Sequence, residues 1–472
     1  MTQGKVLFGR KEILTDVEVV TPSNVIEVLE RANGEFANIQ NEIEFLYNYY
    51  KGNQPVLDRK KDIRPEIKNI VIENRANEIV AFKTGYLMGE PIQYINHGGA
   101  DNVSESIKML NEFMRSEDKQ SADRELAKWI YICGVGYRMI LPDKKNDIDE
   151  SPFEIFTLDP RYTYVVKNSG LGHKPVMSVS IINKIGGTRL YSVYTPFYYF
   201  EIEEKKIVKV KTHNLGNLPV IEYTFDKSML GSFEIVISLL DAINEVASNR
   251  IDGIEHFVQA LLMLKGVDID DEEFNKLKEL GGLKVPPDGD VKYLVQELNQ
   301  QQTQTLVDYM YQTVLTICGM PNRNGGTSTS DTGTAVIMRD GWSLAEARAK
   351  DDENAFKKSE KQFLRLAIKI CNAYRNLDLK LFQIEIRFTR RNYENITEKA
   401  NVLVQMLNNP KIHPRLAFEH CGMFADAETA YLDSAAYYEE QLNRQADELA
   451  ALDEDEVENA KSDLAAEDEE DV

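Results

Sequence analysis

The stretch that decides the fold lies between Leu46 and Tyr94. It contains three segments: LYNYYKGNQP (46–55), IKNIVIENR (67–75) and TGYLMGEPIQY (84–94). The first predicts the aromatic end of a helix followed by a Gly-Asn turn. The second predicts part of another helix, and the third a Gly-Glu-Pro break that leads into a strand.

Two patterns within this stretch resemble the portal proteins of tailed bacteriophages, in particular the SPP1-like family. They are the Tyr-Tyr-x-Gly-x-Gln-Pro turn at residues 49–55 and the Gly-Tyr-Leu-x-Gly-x-Pro-Ile-x-Tyr exit at residues 85–94. The order of elements further along fits that family over nearly the whole chain. The resemblance implies a ring of subunits, usually a dodecamer, at one capsid vertex. Double-stranded DNA would pass through its central tunnel during packaging and again at infection.

Length and composition set the broad class. A chain of 472 residues exceeds the length at which a single hydrophobic core keeps growing, so we expect two or more packed regions. No run approaches the 18 or more apolar residues of a membrane span, and the N-terminus lacks an apolar signal core. We therefore expect no membrane partner and a protein made and kept in a cytoplasm. The portal resemblance implies assembly in the host cytoplasm and a final place in the virion. The four scattered cysteines contain no C-x-x-C pair and are expected to be small buried hydrophobes.

The formal net charge is −22, and it is unevenly distributed. Residues 447–472 hold thirteen acids and one base, which leaves −10 for the rest of the chain. An acidic body is a poor candidate for tight nucleic-acid binding, but it suits a surface that DNA passes without sticking. We expect the tail to be disordered and solvating, with a contact to scaffold or DNA as the alternative.

The first region, residues 1–230, predicts a mixed α+β fold. Helical patterns cover residues 23–31, 35–51, 66–88 and 104–132. Tyr-rich and β-branched segments between residues 136 and 211 then predict an antiparallel sheet, with helices to one side. In the portal resemblance this region is the wing, which would meet the major capsid and scaffolding proteins.

The next region predicts a protrusion made of two helices and a small module between them. A helix over residues 231–258, with Ser232 as its N-cap, carries a heptad-like seam of Val236, Leu240, Ile243, Ala247, Ile251, Ile254, Val258 and Leu261. A β-α-β module follows at 259–298, and a second helix at 299–318 presents Leu306, Met310 and Val314 on one face. In the resemblance these segments are stem helix 1, the clip and stem helix 2. The clip would dock the terminase and later a head-completion adaptor, with Asp271, Glu272, Lys276, Lys278 and Lys284 as candidate contacts.

Residues 319–344 begin with a polar stretch rich in Gly, Ser, Thr and Asn. A plain connector is one interpretation. In the portal resemblance, a tunnel loop facing DNA occupies this place. The loop is either residues 319–334 or the shorter break at 339–344. The candidate DNA-facing residues are Asn322, Arg323, Asn324, Ser328, Arg339 and Trp342, which would contact phosphates without reading base sequence.

The rest of the chain is predicted to be mainly helical. Residues 345–393 contain a helix of more than thirty residues and an alternating strand with Phe382, Ile384, Ile386 and Phe388 on one face. The resemblance assigns them to the wing. Residues 394–446 predict three helices that resemble the crown, which would face the capsid interior.

No catalytic motif stands out. The chain lacks a G-x-x-x-x-G-K-[ST] phosphate loop and a G-x-S-x-G elbow, and its six histidines lack zinc-site spacing. C-G-V-G-Y at residues 133–137 is interpreted as a tight helix-to-strand turn. We therefore expect no metal, no cofactor and no enzyme activity. Two alternatives stay open: a non-conducting structural or adaptor protein of the phage head, and an enzyme with an unrecognised site.

Overall fold

The computed structural model describes residues 9–62, 65–97, 101–143, 150–258, 261–265, 290–294, 300–322, 341–390, 396–424, 427 and 429–445. Helices and strands are mixed along the chain, which confirms the expected fold class. Four helices dominate the first part: α1 (Val25–Tyr50), α2 (Arg75–Leu87), α3 (Asp101–Ser116) and α4 (Lys119–Cys133). Short elements β1 (Ile13–Thr15), the 3-10 turn Pro55–Asp58 and β2 (Gln93–Asn96) lie between them.

The predicted helix boundaries need three corrections. Helix α1 is continuous through Gly34, where the pattern predicted two helices. A single glycine in a helix interior costs only about 1 kcal/mol, and the buried residues on both sides, Ala32 and Phe36, pack against the sheet. The pattern over residues 104–132 is two helices, since Asp118 between them has a left-handed φ of 46°. The expected helix 66–88 starts only at Arg75. Residues 67–74 are not helical, and Asn74 has a left-handed φ of 44°.

Two sheets form the β part of the first region. Their strands are β3 (Gly136–Pro142), β4 (Phe153–Leu158), β5 (Thr163–Asn168), β6 (Pro175–Asn183), β7 (Arg189–Tyr194), β8 (Tyr198–Glu203), β9 (Lys206–Thr212) and β10 (Val220–Tyr223). The larger sheet has the order β1-β5-β6-β7-β8-β9, and the smaller one β10-β3-β4. All neighbours are antiparallel except β1 and β5. The expected antiparallel sheet is therefore divided into two.

Helix α1 covers one face of the six-stranded sheet. Its buried Val25, Leu29 and Phe36 pack in one cluster with sheet residues such as Val193 and Phe200. The alternation of apolar residues along the strands directs these side chains towards the helix. A larger, second core joins the C-terminal half of α1 and helices α2, α3 and α4 to the smaller sheet.

The spine of the second core is α7 (Trp342–Arg375), a helix of 34 residues that confirms the long predicted helix. At the usual rise it is about 51 Å long. Its buried side includes Phe356, Phe363, Leu364 and Ala367. This side lies against the smaller sheet and against α2. The helix therefore connects the smaller sheet with α2.

A buried cluster of charges fixes α7 to the sheet and to α4. Glu360 of α7 is fully buried, with Oε1 2.9 Å from Lys119 Nζ and Oε2 3.2 Å from Arg138 Nη1. The hydroxyls of Tyr94 and Tyr223 donate to the same carboxylate at 2.5 and 2.7 Å. Burial alone would raise the pKa of Glu360, but Lys119 and Arg138 lower it below its ordinary value.

Asp123 completes the cluster by bonding both cations. Its Oδ2 lies 2.7 Å from Lys119 Nζ, and Oδ1 accepts from Arg138 Nη2. Two buried cations thus face two buried carboxylates, so the cluster has no net charge in its ionised form. Three separate elements, α4, β3 and α7, supply these four charges, and their relative positions are thereby specified.

Glycines at the junction before the helical protrusion permit close backbone contact. Gly134 ends α4 with a φ of 81°, and a Cβ there would lie 1.9 Å from the carbonyl oxygen of Met229. A Cβ at Gly231 would lie 2.4 Å from the carbonyl oxygen of Ile132. The C-G-V-G-Y segment is therefore the tight helix-to-strand turn that its sequence predicts.

The four cysteines are buried and unpaired, as predicted. Burial raises the pKa of the Cys133 and Cys371 thiols to about 12 and that of Cys318 to about 11. These side chains therefore behave as small apolar residues.

The protrusion and the C-terminal part complete the fold. Their elements are α5 (Ile237–Val258), β11 (Leu261–Lys265), β12 (Asp290–Leu294), α6 (Gln300–Cys318), β13 (Ile384–Arg387), α8 (Ile396–Leu407), α9 (Pro414–Cys421) and α10 (429–445). Strand β13 pairs antiparallel with β2, which returns the chain to the first region. Phe382 is 73% exposed rather than aligned with the buried Ile384 and Ile386, because the 3-10 turn Leu381–Gln383 precedes the strand.

Candidate functional site

Helices α5 and α6 pack against each other and are anchored in the large core at one end. Leu240 and Ile243 of α5 and Val314 and Leu315 of α6 are buried there. The anchor is an apolar packing contact, so the base of the protrusion is fixed to the body. The expected order of helix, small β module and returning helix is present in the described residues.

The start of α5 differs from its prediction. A 3-10 turn, Glu234–Val236, precedes the helix. The Ser232 hydroxyl donates to the carbonyl of Tyr131 at 2.9 Å rather than capping the helix. The buried carboxylate of Glu234 accepts from the Gly231 amide at 2.9 Å and from Arg10 Nη2 at 2.6 Å. This pairing ties the N-terminal segment to the beginning of the protrusion.

Residues 67–74, here called the strap, run alongside α5 in a non-helical conformation. The amides of Glu73, Val71 and Asn69 donate to the side chains of Asn244, Ser248 and Asp252, at 3.0, 3.0 and 2.7 Å. Every second strap residue thus meets every fourth helix residue. The two repeats match because four helical residues rise about 6.0 Å and two extended residues about 6.6 Å.

Asp252 carries the charged end of this contact. It is 2% exposed and lies 2.9 Å from Arg59 Nη1 and 3.0 Å from Lys61 Nζ. Burial would raise the pKa of its carboxyl, but the Asn69 amide and the two cations lower it to about 2. Asp252 is thus held ionised against the strap.

The strap packs where part of the apolar seam on α5 was predicted to be buried, and this part of the prediction is wrong. Ile251 and Ile254 are 44% and 53% exposed, while Asn244, Ser248 and Asp252 are buried. Among the seam residues whose burial the structure describes, the seam is buried only as far as Ile243, because beyond it the side chains on the packed face are polar and bond the strap backbone. Leu261, predicted as the last seam residue, belongs to strand β11. Sequence reasoning missed this contact, although the i, i+4, i+8 spacing of Asn, Ser and Asp was a visible signal.

Large apolar side chains also remain exposed on α6. Leu306, Tyr309 and Ile317 are 49%, 68% and 40% exposed. Leu306 was expected on the buried face with Met310 and Val314, but Val307 is buried in its place. Together with Ile251 and Ile254, these three residues are here called the outer apolar surface of the helical pair.

The β module at the far end of the pair is described only by its two strands. Strands β11 and β12 pair antiparallel, from Leu261 opposite Leu294 to Lys265 opposite Asp290. The chain therefore leaves β11 after Lys265 and enters β12 at Asp290 at the same end of this hairpin. Asp271, Glu272, Lys276, Lys278 and Lys284 lie between the strands in sequence, outside the described residues.

A second excursion of the chain begins after α6 and ends at α7. An ideal Cβ on Gly341 would lie 3.8 Å from the Cα of Pro321, so the two ends are close together. Trp342 opens α7, and its ring lies 6.1 Å from the rings of both Phe82 and Tyr86. Asn322 is half-buried, and Arg323, Asn324, Ser328 and Arg339 lie outside the described residues.

A family model described as "Phage portal protein, SPP1 Gp6-like" matches residues 31–460. The chain belongs to this family. The matched residues include the helical pair, the hairpin and the long helix.

Two solved structures are similar to this portal family member. One is titled "Neck of native GTA particle computed with C12 symmetry", with 11% identity, a TM-score of 0.43 and coverage of 74% of this chain and 89% of that chain. The other, "Neck of empty GTA particle computed with C6 symmetry", has the same identity and TM-score and covers 74% and 90%. A comparison with curated proteins found no match.

Two further observations concern alternative chemistry in this portal family member. Within the described ranges, no group of three or more His, Cys, Asp or Glu side chains is arranged to hold a metal ion. Among the same residues, no helix combines the length and the apolar character of a membrane span.

Proposed function

We propose that this protein forms a ring-shaped channel at one vertex of a phage capsid, through which double-stranded DNA is packaged and later ejected. The observation that carries the proposal is the family match over residues 31–460, which includes the helical pair, the hairpin and the long helix. The channel would be a passage rather than a catalyst. ATP hydrolysis would belong to a separate terminase.

The outer apolar surface supports ring assembly. Ile251, Ile254, Leu306, Tyr309 and Ile317 stand on two helices whose other sides are occupied by the core and the strap. The exposed pairs Ile251 and Ile254 on α5 and Leu306 and Tyr309 on α6 stand at helical spacing, so each pair would be available for contact with another protein surface. In a cyclic ring each subunit meets its neighbour through two different faces, so one helical pair would pack beside the next.

The charge of the chain supports passage without adhesion. Each subunit carries −22, so a ring of about twelve copies multiplies a strongly negative charge around the tunnel. Such a wall would repel phosphates and let DNA slide, while sparse Lys or Arg and the tunnel loops would limit slippage. The DNA would be bound without sequence specificity.

The excursion between Pro321 and Gly341 is our candidate for the tunnel loop. Its ends lie together beside Trp342, so the nineteen intervening residues begin and end at one place on the molecule. Asn322, Arg323, Asn324, Ser328 and Arg339 would supply weak contacts to the DNA backbone. Trp342 packs on Phe82 and Tyr86, and would support the base of the loop.

The hairpin end of the helical pair is our candidate docking site for the terminase and then for a head-completion adaptor. It is carried at the end of the protrusion, away from the anchored base. The sheet region would meet the major capsid and scaffolding proteins, and the C-terminal helices would face the capsid interior.

Complementation of a phage that lacks this gene tests the function. Without the protein we expect capsids that contain no DNA, and supplying the wild-type chain restores filled heads. The variant Lys276→Glu, Lys278→Glu, Lys284→Glu should still form rings but lose terminase binding and filled heads. Lys276→Arg, Lys278→Arg, Lys284→Arg keeps the positive charge at the same three positions; it is the matched control and should package normally. Filled heads in the absence of the protein would refute the channel proposal and favour a non-conducting adaptor.

A further inference from the structure

A cavity of about 1100 Å³ lies between the sheets and the long helix. The turn before β6 forms one wall, with His173 and Lys174, and strand β10 with the residues after it forms a second. The exposed side of α7 forms the third, with Lys358 and Arg365. No residue described in α5 or α6 lines this cavity.

The charged groups deep in the cavity bond one another, and together they carry a net charge of −1 when His173 is neutral. Lys167 Nζ lies 2.6 Å from Glu12 Oε1 and 2.5 Å from Glu222 Oε1. His173 Nδ1 lies 2.5 Å from Glu12 Oε2. These groups satisfy one another, so they do not attract a partner strongly.

The rim of the cavity is different. Lys174, Lys227, Lys358 and Arg365 are exposed, and in the described part of the chain none of them has an ion-pair partner. The acid among the rim residues, Asp226, accepts hydrogen bonds from its own turn, at the Ser228 hydroxyl and the Met229 amide. The rim is therefore cationic on a chain whose net charge is −22.

The floor of the cavity is apolar. Buried residues line it: Val165, Leu218, Val220, Ile221, Met229 and Leu366. A cationic rim over an apolar floor fits an acidic peptide that also carries occasional aliphatic side chains.

The chain itself contains a segment with that chemistry. Residues 447–472 hold thirteen acids and one base, and Leu449, Leu452, Val457 and Leu464 are spaced among the acids. Fully extended, these 26 residues reach about 85 Å. Attachment to the same chain also gives the segment a high effective concentration, on the order of millimolar.

We propose that the acidic segment 447–472, from the same subunit or a neighbouring one, binds in this cavity with its carboxylates on Lys174, Lys227, Lys358 and Arg365. Its leucine or valine side chains would contact the apolar floor. The segment would then be a specific intramolecular or intersubunit ligand rather than a solvating tail.

Zero-length carbodiimide cross-linking of the full-length protein, followed by mass spectrometry, tests this contact. The reagent joins a lysine amine to a carboxylate only when the two form an ion pair. We expect amide links from residues 447–472 to Lys174, Lys227 and Lys358. Lys206 and Lys211 are equally exposed on β9, away from the cavity, and serve as internal controls. Links distributed evenly over cavity and control lysines, or absent from the cavity, would overturn the proposal.

A charge-reversal variant makes the test stricter. Lys358→Glu with Arg365→Glu changes two exposed positions of α7 and should leave the fold intact. We expect links from the tail to Lys174 and Lys227 to fall about tenfold. Lys206→Glu with Lys211→Glu should leave them unchanged. If the α7 variant instead lowers binding of a short DNA duplex while the tail links persist, the cavity serves DNA and the proposal fails.

Discussion

At the scale of single residues, Gly134 is the position where the fold depends most on the absence of a side chain. It has a left-handed φ, and the Met229 carbonyl occupies the place of a Cβ. We predict that Gly134→Ala lowers the free energy of unfolding by about 3 kcal/mol or more. Urea titration followed by the fluorescence of the two tryptophans measures this change.

Gly85→Ala is the matched control. Gly85 lies in α2, is exposed and has nothing within 4 Å of an added Cβ. Alanine there should leave stability unchanged or raise it by up to about 1 kcal/mol. Equal destabilisation by both variants would mean that the close contact with the Met229 carbonyl is not the reason why residue 134 must be glycine.

At the scale of elements, the attachment of the strap to α5 depends on side chains that accept backbone hydrogen bonds. Ser248→Ala removes the acceptor for the Val71 amide while leaving the neighbouring bonds to Asn244 and Asp252. We predict faster hydrogen exchange at the strap. We also expect the free energy of unfolding to fall by about 1–3 kcal/mol, because the Val71 amide loses its hydrogen-bond partner. Exchange mass spectrometry of peptides from residues 67–74 provides the measurement.

Ser238→Ala is the control on the same helix, since Ser238 is exposed. It should leave the exchange of the strap unchanged. If Ser248→Ala also leaves the strap amides protected, the hydrogen-bond match between strap and helix does not hold the strap in place.

The buried charge cluster gives α7 a pH-dependent attachment. The folded-state pKa of Glu360 is below its ordinary value of 4.5, because Lys119 and Arg138 lie beside it. A depressed pKa stabilises the fold above pH 4.5, and the contribution is lost as pH falls below that value. Glu360→Gln should therefore cost about 3 kcal/mol at neutral pH, and the difference from wild type should narrow below pH 4.5.

Chemical unfolding at a series of pH values tests this prediction. Asp351→Asn, at an exposed position on the same helix, is the control and should change stability little at any pH. A constant difference between Glu360→Gln and wild type down to pH 3 would show that the carboxylate charge does not stabilise the cluster.

The elements also show which features a sequence reveals. Long periodic segments such as α7 and the alternating strands of the sheets were predicted, because their apolar spacing is local information. The strap was predicted as helix, since its Ile-rich pattern also fits a helical face. Its extended form depends on side chains of α5 more than 170 residues away.

The candidate site was predictable in outline only. The order of helix, hairpin and helix follows from local patterns. The burial of Asp252 and the exposure of Ile251 depend on the strap, which no local pattern places beside α5. The buried cluster was missed for the same reason: Lys119, Asp123, Arg138 and Glu360 come together only in the tertiary fold.

At the scale of the whole molecule, the outer apolar surface should control assembly. Leu306→Ser with Tyr309→Ser replaces two exposed side chains of α6. We predict that this variant forms fewer rings and more small oligomers in native mass spectrometry, while each subunit stays folded. The reason is that the two side chains lose their contacts with the neighbouring helical pair.

Leu171→Ser with Ile185→Ser is the comparison variant. Both residues are fully exposed in turns of the larger sheet, far from the helical pair in sequence. This variant should assemble like wild type. If both variants reduce assembly equally, general surface hydrophobicity rather than the helical pair drives the association.

The central claim is that this family member forms an open ring. Electron microscopy of the purified protein, with class averages viewed along the symmetry axis, tests it most directly. We predict closed rings of about twelve subunits with a central hole wide enough for a B-form duplex. Solid discs without a hole, or a uniform population of monomers and small dimers across a range of salt concentrations, would contradict the claim.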